Sequence, residues 1–295
     1  METVILMVQG KIYTNKFKLL KPGITLLLDL VAVSTFFLGI DNRSLIWKLL
    51  PLLISGTLAS FSSSLLNNYL DRDIDIKMRR TLWRSEFSWN FYYILSILAM
   101  LTISLLISYF YINIVTTLWI LLGFLSYSIL YTLILKRNTS WNIVIGGIAG
   151  SFPALAGWSS VNSPISFQSA YVAILIFLWT PTHFWSLAMK YRNDYKIAGI
   201  PMMPSLLPVK RSTEIIFANT IILAAFTSLP LFYGGFSFVF KVLIIPISGY
   251  LLYEAFKLLT SSVENIDKKA IRVFLASNYF LTGALLLIII GVIFH

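Results

Sequence analysis

Residues 47–75 read WKLLPLLISGTLASFSSSLLNNYLDRDID. From Leu49 to Leu66 there is no charged residue and no alternation of apolar and polar positions. At about 1.5 Å per residue such a run is long enough to cross roughly 30 Å of hydrocarbon. Backbone polar groups in lipid must be satisfied within the protein, and a continuous apolar run does this as a helix. At Asn67 the composition changes abruptly to amides and carboxylates, the sign of a helix leaving the membrane.

The same pattern recurs along the chain. Of its 295 residues 58% are hydrophobic and only 12% are charged, and the mean hydropathy is +0.81. A soluble domain of this length carries about 25% charged residues. The sequence predicts an all-α integral membrane protein with nine spans, at 22–40, 47–68, 89–110, 112–134, 142–160, 168–189, 213–233, 237–257 and 271–294. The net charge of +11 suggests nucleic acid or anionic lipid, but its distribution points elsewhere. With the loops assigned alternately to two sides, every Lys and Arg except Arg43, Lys48 and Lys241 falls on one side. By the positive-inside rule that side is cytoplasmic, with the N-terminus, and His295 lies outside. The expectation is a multi-pass cell-membrane protein in contact with lipid and not with nucleic acid. No cysteine is present, which excludes disulfides and thiolate ligands. The first residues carry Lys11, Lys16, Lys18 and Lys21 and read as a basic lead-in, not as a cleavable signal.

Residues 1–20 are read as a cytoplasmic segment and 21–295 as one membrane domain. Two inner loops, after the second and sixth spans, are long and crowded with charge. Their separation by four spans suggests two four-helix halves plus one further helix.

Asn67, Asp71 and Asp75 are spaced i, i+4, i+8 and share one stripe of a helix. Carboxylates one turn apart repel unless a cation lies between them. Oxygen ligands suit Mg²⁺, which shares its shell with substrate phosphates. Lys77, Arg80 and Arg84 follow at once and are candidates for the remaining phosphate oxygens. Lys136 and Arg137 are the only charges of their loop and are candidates for the same role. Asp194 sits at the equivalent point of the second half, with Lys190 and Arg192 beside it; alone it reads as a snorkelling helix end, and its position makes it a fourth candidate ligand. The physical reading is a diphosphate held through Mg²⁺ at the cytoplasmic face.

Three features lie outside that cluster. His183 is inside a span and is a functional suspect on that ground; it is a candidate haem contact, an acid or base, or a histidine bonded to a neighbouring helix or to a carbonyl freed by Pro181. Asp29, within the first span, should face the bundle and find a partner. The small residues of 142–158, Gly146, Gly147 and Gly150 among them, suit close helix packing.

These motifs together resemble the UbiA-type intramembrane prenyltransferases. The resemblance rests on Asn67-x-x-x-Asp71-x-x-x-Asp75, on Tyr127-Ser128-x-x-Tyr131-Thr132, on the 142–158 block, and on the stretch from Trp179 through Asp194-Tyr195 to Ala198-Gly199-Ile200-Pro201-Met202. Lys77-Met78-x-Arg80-Thr81-x-x-Arg84 and 191–202 resemble the haem-farnesylating branch, the protoheme IX farnesyltransferases. Lys190 stands where the second family motif often has an Asp, Ser85-Glu86 where Pro-Leu is usual, and Thr182 where Pro is common. The resemblance implies nine helices around a central cavity. It implies Mg²⁺-dependent transfer of farnesyl from farnesyl diphosphate to a vinyl group of haem B, giving haem O for a terminal oxidase. Asn67, Asp71, Asp75 and Asp194 would then hold metal and diphosphate. Two rival readings are a UbiA-type enzyme acting on a quinone precursor or lipid, and a secondary transporter. The blocks just quoted weigh against the first, and the placing of most acids at helix ends weighs against the second.

Overall fold

The structure, a computed structural model, describes residues 7–8, 11–12, 16–162 and 164–294. His295 and much of the 1–20 segment lie outside the described residues. Two two-residue strands, β1 (Met7–Val8) and β2 (Lys11–Ile12), pair antiparallel; the other described elements are helical. After a 3₁₀ turn at Lys16–Leu20, α1 runs Pro22–Gly39, with proline at its first position where no N–H is needed. Then come α2 (Leu49–Leu70), the short α3 (Arg72–Asp75), α4 (Phe91–Tyr111) and α5 (Ile114–Leu125). A π-helical segment, Ser126–Leu135, continues α5 into the short α6 (Lys136–Asn138). The rest is α7 (Asn142–Gly146), α8 (Ile148–Ser159), α9 (Phe167–Lys190), α10 (Arg192–Ala198), α11 (Met203–Leu206), α12 (Val209–Thr227), α13 (Phe238–Leu259) and α14 (Ile266–Ile293). Polar caps stand at the starts of several spans: Asn113 accepts from Thr116 N, Ser237 accepts from Phe240 N, and Ser166 and Ser169 form a reciprocal capping box.

Among the described residues, eight helices are long and apolar enough to cross a membrane. The span expected at 142–160 is not one of them, because it is divided into α7 and α8. The Gly147 N–H is shared between Ile143 O at 3.0 Å and Val144 O at 3.3 Å, and Pro153 has no N–H to give within α8. Two boundaries also differ. α14 begins at Ile266, and its first turns carry Asp267, Lys268, Lys269 and Arg272. A charge ends the apolar run but not the helix. α12 begins at Val209 for the same reason and stops at Thr227, shortly before Pro230.

The helices close into a ring. Contacts run α1–α2, α2–α4, α4–α5, α5–α8, α8–α9, α9–α12, α12–α13, α13–α14 and back from α14 to α1. α9 is the most enclosed of the long helices and α4 the most lipid-facing. Lipid gives helices no hydrophobic reason to associate, so close backbone approach and interhelical hydrogen bonds hold them. Ser104 Oγ donates to Ser55 O at 2.7 Å and Ser62 Oγ to Ile97 O at 2.8 Å, tying α2 to α4. A Cβ on Gly157 would lie 2.1 Å from Ala32 O, so glycine is what lets α8 lie on α1. A cavity of about 300 Å³ between Leu38, Phe236, Phe240 and Ile288 lies at the end of the bundle away from Asp71.

Candidate active site

The expected stripe forms despite a break in the helix. α2 ends at Leu70 and Asp71 leaves helical geometry (φ −90°, ψ 3°). The i→i−4 ladder still passes through the three residues in question: Asp71 N donates to Asn67 O at 2.9 Å and Asp75 N to Asp71 O at 2.8 Å. Asn67, Asp71 and Asp75 are 3%, 1% and 3% exposed. Asp73, between them, faces outward. Buried carboxylates demand partners, and the partners come from distant segments.

Lys136 Nζ donates to Asp71 Oδ2 at 2.5 Å. Asn67 Nδ2 donates to the same oxygen at 2.8 Å and to Thr132 Oγ1 at 3.1 Å. Arg84 Nη1 reaches both oxygens of Asp75 at 3.3–3.4 Å. Lys21 Nζ donates to Asn67 Oδ1, and to Tyr127 OH at 3.1 Å. Burial lowers the Lys21 ammonium to about 7, with the charge of Arg84 acting the same way. Asn68, the second amide of the pair, donates to Leu19 O at 2.8 Å and so ties the 3₁₀ turn before Lys21 to α2. Arg137 grips Asp73 in bidentate fashion at 2.7 and 2.8 Å, a bond that holds the Asp73 carboxyl below the usual range. It also donates to Leu70 O at 2.8 Å.

The π-helical segment aims one side of this cluster. Its i→i+5 turns are seen in Lys136 N bonding Tyr131 O; the Thr132 hydroxyl reaches back across the same interval to Tyr127 O at 2.8 Å. Positions i, i+4, i+5 and i+9 then share a face, which here means Tyr127, Tyr131, Thr132 and Lys136. In an α-helix of about 3.6 residues per turn, i+5 and i+9 would point about 140° and 180° away from i. Three of the four touch site residues: Tyr127 meets Lys21, Thr132 meets Asn67 and Lys136 meets Asp71. Tyr131 stacks on Tyr127 with ring centroids 5.9 Å apart. A Cβ on Gly146 would come within 2.6 Å of the Tyr131 ring, so that glycine makes the ring's seat.

The second charged loop meets the first through Arg80 and not through Asp194. The Arg80 guanidinium lies 5.5 Å from the Tyr191 ring centroid; burial pushes the Tyr195 hydroxyl up, with the charge of Arg80 opposing it. Ile74, Met78, Tyr195, Ile200 and Met202 share one hydrophobic cluster. Asp194 forms no ion pair among the described residues. Arg192 pairs with Asp267 of α14 at 2.5 Å, away from Asp71. Lys190 is exposed beside the Tyr191 ring, and Lys77 is exposed. The first-half candidates Arg84 and Lys136 are thus drawn to the acidic stripe, while Arg137 is held by the outward-facing Asp73 and Lys190 and Arg192 are engaged elsewhere. His183 lies within α9 between Trp179, at 4.2 Å, and Phe274, at 4.5 Å. Its Nδ1 is 2.9 Å from Ser277 Oγ of α14, leaving Nε2 as the ring nitrogen for any other partner. Asp29 finds its partner in Thr57, whose hydroxyl donates at 2.8 Å.

The chain as a whole has counterparts among known proteins. Residues 28–278 match the UbiA prenyltransferase family. Protoheme IX farnesyltransferase 2 of Picrophilus torridus is 46% identical over 219 residues, 73% of this chain and 75% of that one. Protoheme IX farnesyltransferase 1 of Cenarchaeum symbiosum is 39% identical over 262 residues, 86% of this chain and 88% of that one. The chain belongs to the UbiA prenyltransferase family, in its protoheme IX farnesyltransferase branch. The fold agrees: the structure of a UbiA homolog from Archaeoglobus fulgidus bound to DMAPP and Mg²⁺ superimposes with a TM-score of 0.69 at 18% identity, covering 94% of this chain and 99% of that one.

For a UbiA chain the donor set can be tested against Mg²⁺. Asp71 Oδ1 is buried and has no hydrogen-bond partner, so one carboxylate oxygen stands ready for a ligand. The donors are all hard oxygens, as Mg²⁺ requires. Among the described residues no three acidic or imidazole side chains gather closely enough to hold a metal by themselves. A metal held here would need the Asn67 amide and substrate oxygens to complete its shell. Sequence reasoning did not select Lys21, Tyr127 or Thr132 as site residues. The i, i+4, i+5, i+9 interval from Tyr127 to Lys136 was the available signal, legible only to a reader testing a π-helical period.

Proposed function

We propose that the protein transfers the farnesyl group of farnesyl diphosphate to a vinyl group of haem B, giving haem O and diphosphate, with Mg²⁺ as cofactor. The observation that carries the reading is the buried, cation-ringed stripe of Asn67, Asp71 and Asp75 with its unpartnered Asp71 oxygen. When bound, Mg²⁺ supplies positive charge against the diphosphate leaving group. Asn67 and the two aspartates would hold it. Lys136 and Arg84, already held beside Asp71 and Asp75, would take the remaining phosphate oxygens, so little reorganisation would be needed as charge develops. The C1–O bond of the farnesyl group breaks and leaves an allylic cation. The Tyr127–Tyr131 stack beside the stripe offers ring faces that favour positive charge. The terminal vinyl carbon then bonds to C1. Water adds to the adjacent carbon and loses a proton, which accounts for the hydroxyl of the product.

His183 is proposed as a haem contact through Nε2, with Ser277 fixing the ring. Asp194, Lys77, Lys190 and Arg192 are proposed in supporting roles at the loop surface. The charged side is proposed to face the cytoplasm of a cell membrane, and a haem-using oxidase is the natural recipient of the product. The test is mass spectrometry of haem after incubation of purified protein with haem B, farnesyl diphosphate and Mg²⁺. A hydroxyethylfarnesyl haem is expected, and its absence after addition of a chelator. Prenylation of a quinone precursor with haem untouched would overturn the reading.

A further inference from the structure

Lys21 is the one non-glycine residue among those described with left-handed backbone geometry, φ 54° and ψ 55°. For an L-residue that conformation is strained and persists only where surrounding contacts demand it. Here they do. Asn68 holds the preceding turn by Leu19 O, Pro22 opens α1 directly after it, and the Lys21 side chain runs to the acidic stripe. Its ammonium bonds Asn67 Oδ1 and Tyr127 OH. Asn67 in turn donates to Asp71 Oδ2. The amide oxygen that a metal would take is therefore occupied by a cation of the chain itself.

Metal at Asn67 requires that oxygen to be given up, and it places a divalent charge beside an ammonium. The four-carbon stem lets the ammonium move without moving α1. The one anion that arrives with the metal is the diphosphate. Resting on the function proposed above, we infer that Lys21 is a substrate-contacting residue, whose ammonium caps Asn67 in the metal-free chain and passes to a diphosphate oxygen on binding. Metal alone then competes with Lys21, while metal and diphosphate together do not. Lys21 couples the two ligands: each binds better with the other present. A purely structural lysine has no such effect.

The two roles separate by sign. Titrate full-length protein in detergent calorimetrically with Mg²⁺ alone, and with inorganic diphosphate at saturating Mg²⁺. Compare wild type with Lys21→Gln, which keeps a donor toward Asn67 without the charge, and with Lys21→Arg. Lys21→Gln is expected to bind Mg²⁺ alone several-fold tighter and diphosphate at least about tenfold weaker, the scale of one charge-assisted hydrogen bond. Lys21→Arg is expected to restore diphosphate binding. Equal weakening of both ligands, or diphosphate affinity within twofold of wild type, overturns the inference and leaves the proposed function standing. Wild-type protein that binds neither ligand overturns the proposed function, and this inference with it.

Discussion

The two oxygens of Asp71 are in different states. One accepts from Lys136 and Asn67; the other is buried without a partner. The i, i+4, i+8 spacing of Asn67, Asp71 and Asp75 was legible in the sequence because a helical stripe depends only on intervals. Which cation serves which acid was not legible, because Lys136 and Arg84 reach their partners through the fold. Asp71→Asn is expected to lower turnover about 10²–10³-fold, as loss of a preorganised charge in a shielded site does, with helicity by circular dichroism unchanged. Activity within threefold of wild type would remove Asp71 from the site. Lys136 and Arg137 stood together in the sequence as equivalent candidates. The structure separates them: Lys136 is nearly buried on Asp71, while Arg137 is spent on the exposed Asp73 and on Leu70 O. Exposed ion pairs contribute about 0–1 kcal/mol. Arg137→Ala is therefore expected to change KM for farnesyl diphosphate less than threefold, and Lys136→Ala by more than tenfold. Steady-state kinetics that rank them in the reverse order would contradict this assignment.

At the scale of elements, the helices were legible and their irregularities were not. Long apolar runs mark spans because the bilayer imposes a length. The division of α7 from α8 and the π-helical register after Leu125 arise from packing and leave hydropathy unchanged. The π-helix matters most, since it brings Tyr127, Thr132 and Lys136 to one face. Inserting one alanine after Ile129, which is exposed on that segment, sets Thr132 and Lys136 at i+6 and i+10 from Tyr127, off its face in either helical register. The expected result is a helical, folded protein whose diphosphate affinity falls about 10²-fold, the cost of misplacing site groups by an ångström or so. Unchanged affinity would mean that the register is incidental. Gly157 tests the packing of α8 on α1. Gly157→Ala sets a methyl against the backbone oxygen of Ala32, which has no rotamer by which to yield. A loss of about 1–3 kcal/mol is expected, read as a lower melting temperature in detergent.

The whole molecule joins two charged loops that lie far apart in sequence. Arg80 over the Tyr191 ring links them, and Asn142 Nδ2 reaches Pro201 O at 3.4 Å from a third segment. The sidedness of the fold can be tested directly because the chain has no cysteine. Ser262→Cys, at the charged end, is expected to react with an impermeant maleimide only in inside-out vesicles. Gly234→Cys, at the opposite end, is expected to react only in right-side-out vesicles. The reverse pattern would place the acidic stripe outside the cell.

What the sequence determined by itself is what depends on composition and interval: helices long enough for a bilayer, the lopsided charge, and the acidic stripe at residues 67–75. These are local or additive properties, and no partner is needed to state them. Tertiary structure alone decided which cations neutralise the stripe, that the second loop arrives through Arg80 and not Asp194, and that Lys21 holds the amide oxygen of Asn67. Such pairings are set by which helices become neighbours and how each is rotated. One residue of π-helical register turns a side chain from lipid to site without altering any property that a reading along the chain can measure.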